Sequence, residues 1–110
     1  MTKMNLDKIN RQNNRILSRY AFEQAMSDFD ESGKKYTCER LRSCQAWVYA
    51  SDHWFILKSY NTFVACINRD TGVAYDLLRY VYGYTATSAQ HIAKFFNDYN
   101  AIRTIRYYPN

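Results

Sequence analysis

Apolar and polar residues alternate at helical spacing across residues 4–30, a stretch with no Gly or Pro. At about 100° per residue, Leu6, Ile9, Ile16, Leu17 and Tyr20 gather on one side. Lys8, Arg11, Arg15 and Arg19 gather opposite them at steps of three and four, as a basic stripe. Past Tyr20 the pattern changes phase, and Phe22, Ala25, Met26 and Phe29 continue on the side of the basic stripe. The pattern therefore predicts either a break near Ser18–Tyr20 or one helix with two apolar faces for different partners. Asp30 and Glu31 oppose the helix dipole, which predicts fraying or a stop by Phe29, before the loop at Gly33.

From Tyr36 the period shortens to that of strands. Gln45–Ala50 and Trp54–Tyr60 flank Ser51-Asp52-His53, a short polar hairpin connection. Thr62–Ile67 continues the strand signal across a bend at Tyr60-Asn61. Asn68-Arg69-Asp70-Thr71-Gly72 predicts a turn, because Asn and Asp bond forward to the backbone and Gly72 supplies a positive φ. Val73–Leu78 then pairs back.

Leu78–Tyr84 places Tyr80, Tyr82 and Tyr84 two residues apart, so an extended chain would show three rings on one side. With Arg79 adjacent, that surface suits stacking of unpaired bases, and it suits packing under a helix equally well. Thr87 and Gln90 have capping-box spacing and predict a helix from Ser88. Its buried stripe is then Ala89, Ile92, Ala93, Phe96 and Tyr99, with His91, Lys94 and Asp98 facing away and Asn100 as a left-handed stop. Ile102–Tyr108 alternates as a final edge strand carrying Arg103 and Arg106.

These elements predict an α+β fold: an N-terminal amphipathic helix, an antiparallel sheet of four or five strands, and one helix before the final strand. A chain of 110 residues suffices for one domain, here a helical segment 1–30 and a sheet-plus-helix segment 36–110. A second arrangement stands the N-terminal helix apart to pair with another chain, so monomer and homodimer are both open.

Composition narrows the function classes. Fifteen Lys and Arg against ten Asp and Glu give +5, a mild excess compatible with nucleic acid or an acidic protein surface. No run of 18 apolar residues is present and no apolar stretch follows the basic N-terminus, which predicts a cytoplasmic protein without membrane contact. Cys38, Cys44 and Cys66 lack the short spacing of a zinc site, and an odd number in a cytoplasm predicts reduced thiols, with no metal or cofactor. Neither His53 nor His91 has a Ser or Cys motif beside it, the acids Asp52, Asp70 and Asp76 are scattered, and three glycines build no phosphate loop. The expectation is a protein that is not an enzyme.

The run YGYTATSAQHIAKFFNDY, with SYNTFVA upstream, resembles small proteins of unknown function from bacterial phages and mobile elements. The resemblance covers Ser59 to about Pro109 and implies an origin in a bacterial host cell, not an activity. Accessory genes of that origin often encode host-takeover or anti-defence factors, CRISPR-nuclease inhibitors among them. The resemblance therefore implies a binding protein that inhibits a host protein or protein–nucleic-acid complex. The alternative is direct nucleic-acid binding through Lys8, Arg11, Arg15 and Arg19, helped by Arg103 and Arg106.

Overall fold

The computed structural model describes residues 3–32, 37–41, 45–83 and 85–107, with the side chains of the first helix from Ile9 to Glu31. In chain order the elements are α1 (Lys3–Ser32), β1 (Thr37–Arg40), β2 (Ala46–Ala50), β3 (Trp54–Ser59) and β4 (Thr62–Asn68). They continue as β5 (Val73–Asp76), α2 (Leu78–Val81), α3 (Ala86–Asp98) and β6 (Arg103–Arg106). The six strands form one sheet in sequence order, β1-β2-β3-β4-β5-β6.

This is the α+β architecture expected, with two departures in the sheet. It has six strands instead of four or five, and the β5–β6 pair is parallel where the others are antiparallel. The parallel pair follows from α3, since a strand that returns after a crossing helix arrives in the same direction as the strand it left. The turn after β4 is as predicted. Asn68 Oδ1 accepts the N–H groups of Asp70 and Thr71, and Gly72 takes φ +77°. Asn100 likewise ends α3 with φ +57°.

β5 stops at Asp76, short of the expected Leu78. Asp76 Oδ1 accepts the Leu78 N–H at 3.2 Å and turns the chain into the short helix α2, so residues 78–81 are helical and not extended.

Both faces of the sheet are covered. α3 packs on one face through Ile92 and Phe95 against Val48, Leu57, Val64, Ala65, Ile67 and Ala74. α1 packs on the other through Ala21 and Ala25 against Trp54, Ile56, Cys66 and Leu77. A bulge in β4 sets two neighbours on the α3 face. Leu57 pairs with Ala65 and Lys58 with Phe63, which leaves Val64 as the extra residue. Double coverage is why four consecutive residues of β4, Val64–Ile67, are buried.

α1 is one helix, unbroken through Ser18–Tyr20, and it continues to Ser32 instead of stopping by Phe29. Its acidic last turn is held by tertiary contacts. Asp28 accepts the hydroxyl of Ser51 and, at 3.0 Å, the N–H of His53 in the β2–β3 turn. Phe29 packs edge-to-face with Tyr49 and tilts against Phe63. These contacts outweigh the dipole penalty of a few tenths to about 1 kcal/mol.

α1 carries both apolar faces of the sequence pattern, and the one that runs on past Tyr20 is the one that meets the sheet. Ala21 and Ala25 are buried and their small side chains let the helix backbone approach the sheet closely, with Phe22, Met26 and Phe29 alongside. The predicted stripe is exposed instead: Ile16 is 60% exposed, Leu17 44% and Tyr20 62%. Thirty residues at about 1.5 Å each give a helix of roughly 45 Å, whereas six strands about 4.8 Å apart span only about 24 Å. Phe29 lies over β2 and β4, and Phe22 reaches Tyr80 beyond β5. The N-terminal half of α1 therefore projects past the β6 edge, along the 49 Å axis of the molecule.

Candidate functional site

Two regions gather side chains presented at the surface. The first is the projecting half of α1. Arg11 and Arg19 are exposed and Arg15 is half-buried, spaced at steps of four so that they form one row about 6 Å apart along the rod. Ile9, Ile16, Leu17 and Tyr20 are exposed on the far side of the same segment. The side chain of Lys8 lies outside the described residues. Arg103 joins this region: it shares a sheet face with Tyr75, since β6 residues paired to Val73 and Tyr75 point the same way as those partners. α1 passes close to β6, so the projecting row and Arg103 border one corner.

Arg106 does not join them. It lies on the α3 face, where its Nε donates to Asp76 Oδ2 at 3.1 Å. Arg79 is half-buried and lines a depression with Asp76, Phe96 and Arg106 on that same side. The expected cluster of six cations is thus divided between the two faces of the sheet.

The tyrosine surface is also not as expected, because α2 coils the chain that would have aligned the rings. Tyr80 packs edge-on to Phe22, with centroids 5.8 Å apart, and tilts against Tyr107. Tyr82 is 69% exposed. Tyr84 lies outside the described residues.

The second region is a groove of about 380 Å³ between the β3–β4 turn and the start of α3. It is lined by Ser59, Tyr60, Asn61 and Thr62 from the turn, and by Tyr82, Thr85, Thr87 and Ser88 opposite, with Val64 at its base. The α3 N-cap is Thr85, not Thr87: its side chain accepts the Ser88 N–H at 3.3 Å, and α3 begins at Ala86. Packing on the sheet turns Ser88, His91, Ile92 and Phe95 inward. His91 accordingly does not face away. Its Nδ1 is 2.9 Å from Ser59 Oγ, which is itself 3.0 Å from Ser88 Oγ. Burial lowers the His91 pKa, keeping the ring neutral.

A serine beside an imidazole invites comparison with a nucleophile and its base. Among the described residues the ring meets Ser59 and the Tyr60 ring, and no carboxylate orients it. Ser59 is buried. The network is a polar joint between β3 and α3.

Tyr60 overhangs this joint with φ +54°. Ser59 pairs with Thr62, so Tyr60 and Asn61 form a two-residue turn of the kind that requires a positive φ, usually from Gly or Asn. Sequence reasoning read a bend there but missed the groove. The one available signal was a bulky residue at a turn position that disfavours it.

The described cysteines are Cys38, exposed, and Cys66, buried, with the Cys66 thiol pushed up by desolvation. Cys44 lies outside the described residues. Among the described residues no group of three His, Cys, Asp or Glu side chains is placed to hold a metal, and no helix is long and apolar enough to cross a membrane.

A family model described as a family of unknown function, DUF8033, matches residues 4–108, and the chain belongs to that family. No curated protein and no solved structure matches it.

Proposed function

We propose that this DUF8033 member is a non-enzymatic binding protein that grips a macromolecular partner with the projecting half of α1. The observation that carries the reading is the exposure of Ile16, Leu17 and Tyr20 on a helix segment that also presents Arg11, Arg15 and Arg19. Large apolar residues grouped on one exposed element mark interaction sites, and arginine is enriched at the centres of interfaces. An apolar strip edged by cations fits an acidic protein surface with an apolar centre. The resemblance to phage and mobile-element proteins directs that partner to a host complex, such as a CRISPR nuclease, that binding would inhibit.

A second reading is direct contact with nucleic acid, favoured by the row Arg11–Arg15–Arg19 with Arg103 on the same side of the sheet. Each phosphate neutralised would add about 0.9 to the salt slope on duplex DNA.

The test is capture of the partner from host lysate, with and without nuclease, using the intact protein, an Arg11→Glu/Arg15→Glu variant and an Ile16→Ser/Leu17→Ser variant. The protein-partner reading expects a complex that survives nuclease and is lost in both variants. A complex lost on nuclease treatment and in the arginine variant alone supports the nucleic-acid reading. Capture unchanged in both variants removes α1 from the function.

A further inference from the structure

We infer that the groove between the β3–β4 turn and the start of α3 is a binding site for an unpaired nucleobase, with Tyr60 and Tyr82 as its stacking side chains. This goes beyond the role of α1 and is independent of it, since the groove lies on the opposite face of the sheet.

Backbone strain is the first argument. Tyr60 holds φ +54° in a two-residue turn where its neighbour Asn61 would adopt a positive φ more cheaply. A bulky residue kept in that conformation is costly, and such outliers cluster at ligand sites. What the turn gains is the position of the ring: 50% exposed, leaning on His91 at 5.8 Å, at the mouth of a groove.

The second argument is the pair of rings. Phe29, Tyr49, Phe63, Tyr75 and Tyr80 pack against the core or against one another. Tyr60 and Tyr82 line the same groove from different elements and remain largely in solvent. Base–aromatic stacking is tolerant of sequence and uses side chains placed in this way.

The third argument is the chemistry of the lining. Asn61, Thr62, Thr85 and Thr87 contribute amide and hydroxyl groups able to donate and accept, and among the described residues no charged side chain lines the groove. Among the described residues that lining offers a phosphate or carboxylate no counter-charge. It matches the alternating donors and acceptors on the edge of a neutral base. Beneath, the hydrogen bonds of Ser59 to Ser88 and to His91 fix the base of the groove before any ligand arrives.

The same base chemistry reaches the protein from a single strand or as a free nucleoside, and the experiment separates them. Amide shifts of the full chain are followed by NMR during titration with a short oligothymidylate, with its duplex, and with free thymidine. Shifts are expected at Tyr60, Asn61, Tyr82 and Thr87 with the single strand, and none there with the duplex. A nucleoside that produces the same shifts assigns the site to free ligand, and one that needs the strand assigns it to a polymer. Tyr60→Phe keeps the affinity, whereas Tyr60→Gly and Tyr82→Ala lower it by roughly tenfold to a hundredfold. Because Tyr60→Gly relieves the turn, its thermal midpoint stays level or rises while binding falls. Loss of folding is thereby separated from loss of the site. Absence of these shifts with both ligands, unchanged affinity in Tyr60→Gly, or binding lost only on Arg11→Glu/Arg15→Glu would each overturn the assignment.

Discussion

Ser59 and His91 are joined by a 2.9 Å hydrogen bond that ties the last residue of β3 to the middle of α3. The bond replaces an expected division of labour, in which His91 faced solvent and the helix met the sheet through apolar residues alone. It gives the fold a pH dependence. Burial depresses the His91 pKa below the ordinary value of 6.5 that applies in the unfolded chain. The unfolded state therefore binds the proton first as pH falls. Stability should be full above about pH 6.5 and decline as pH drops through the window between the two values. Thermal melts from neutral to mildly acidic pH should show this fall, and His91→Gln should flatten it while lowering stability at neutral pH.

Phe95 and Phe96 are adjacent, yet only Phe95 is fully buried, at 0% exposure. Phe95→Ala is expected to cost about 3–5 kcal/mol by opening a cavity between α3 and the sheet. Phe96→Ala should cost clearly less, because that ring lies half-buried at the rim. Urea unfolding of the two variants checks the ranking, and equal midpoints would mean that the helix is rotated from the position described.

Two threonines compete for the start of α3. Thr85→Ala removes the acceptor for the Ser88 N–H and should cost about 1 kcal/mol. Thr87 is exposed inside the first turn, so Thr87→Ala should stay within about 0.5 kcal/mol of the parent. Chemical denaturation resolves both values.

Ser18 is a different case, a fully buried hydroxyl whose oxygen has no hydrogen-bond partner among the described residues. Removing an unsatisfied buried group releases its desolvation cost, of order 1–3 kcal/mol. Alanine also has the higher helix propensity and matches Ala21 and Ala25 on the same face. Ser18→Ala should leave the thermal midpoint unchanged or raise it, and a marked fall would reveal a partner for the hydroxyl.

What the sequence discloses here follows the range of the interactions involved. The turn from Asn68 to Gly72 and the stop at Asn100 are set by residues acting on their own backbone, and both are legible. The existence of α1 and α3 is legible from periodicity. Their rotation is not: a shift of one residue exchanges Phe96 for Phe95, and polar Ser88 and His91 disguise the inward face because their partner, Ser59, is about thirty positions away. α1 misleads for a related reason. Large apolar residues mark its exposed half, and two alanines mark the contact with the sheet. The groove depends on bringing residues 59–62 against Tyr82, Thr85, Thr87 and Ser88, which no local pattern encodes.

The parallel pairing of β6 with β5 also orders events in time. β1 to β5 follow one another through short connections and can assemble as soon as they are synthesised. β6 has no place to bind until α2 and α3 have carried the chain back across the sheet, to where Gly72 O accepts the Ile102 N–H and Asp76 O accepts the Tyr107 N–H. Until then the edge of β5 presents open backbone groups, a template for pairing with another nascent chain. The sheet is therefore completed by a strand that comes two helices after its neighbour in the chain, and the interval before it docks is when this protein is most exposed to aggregation.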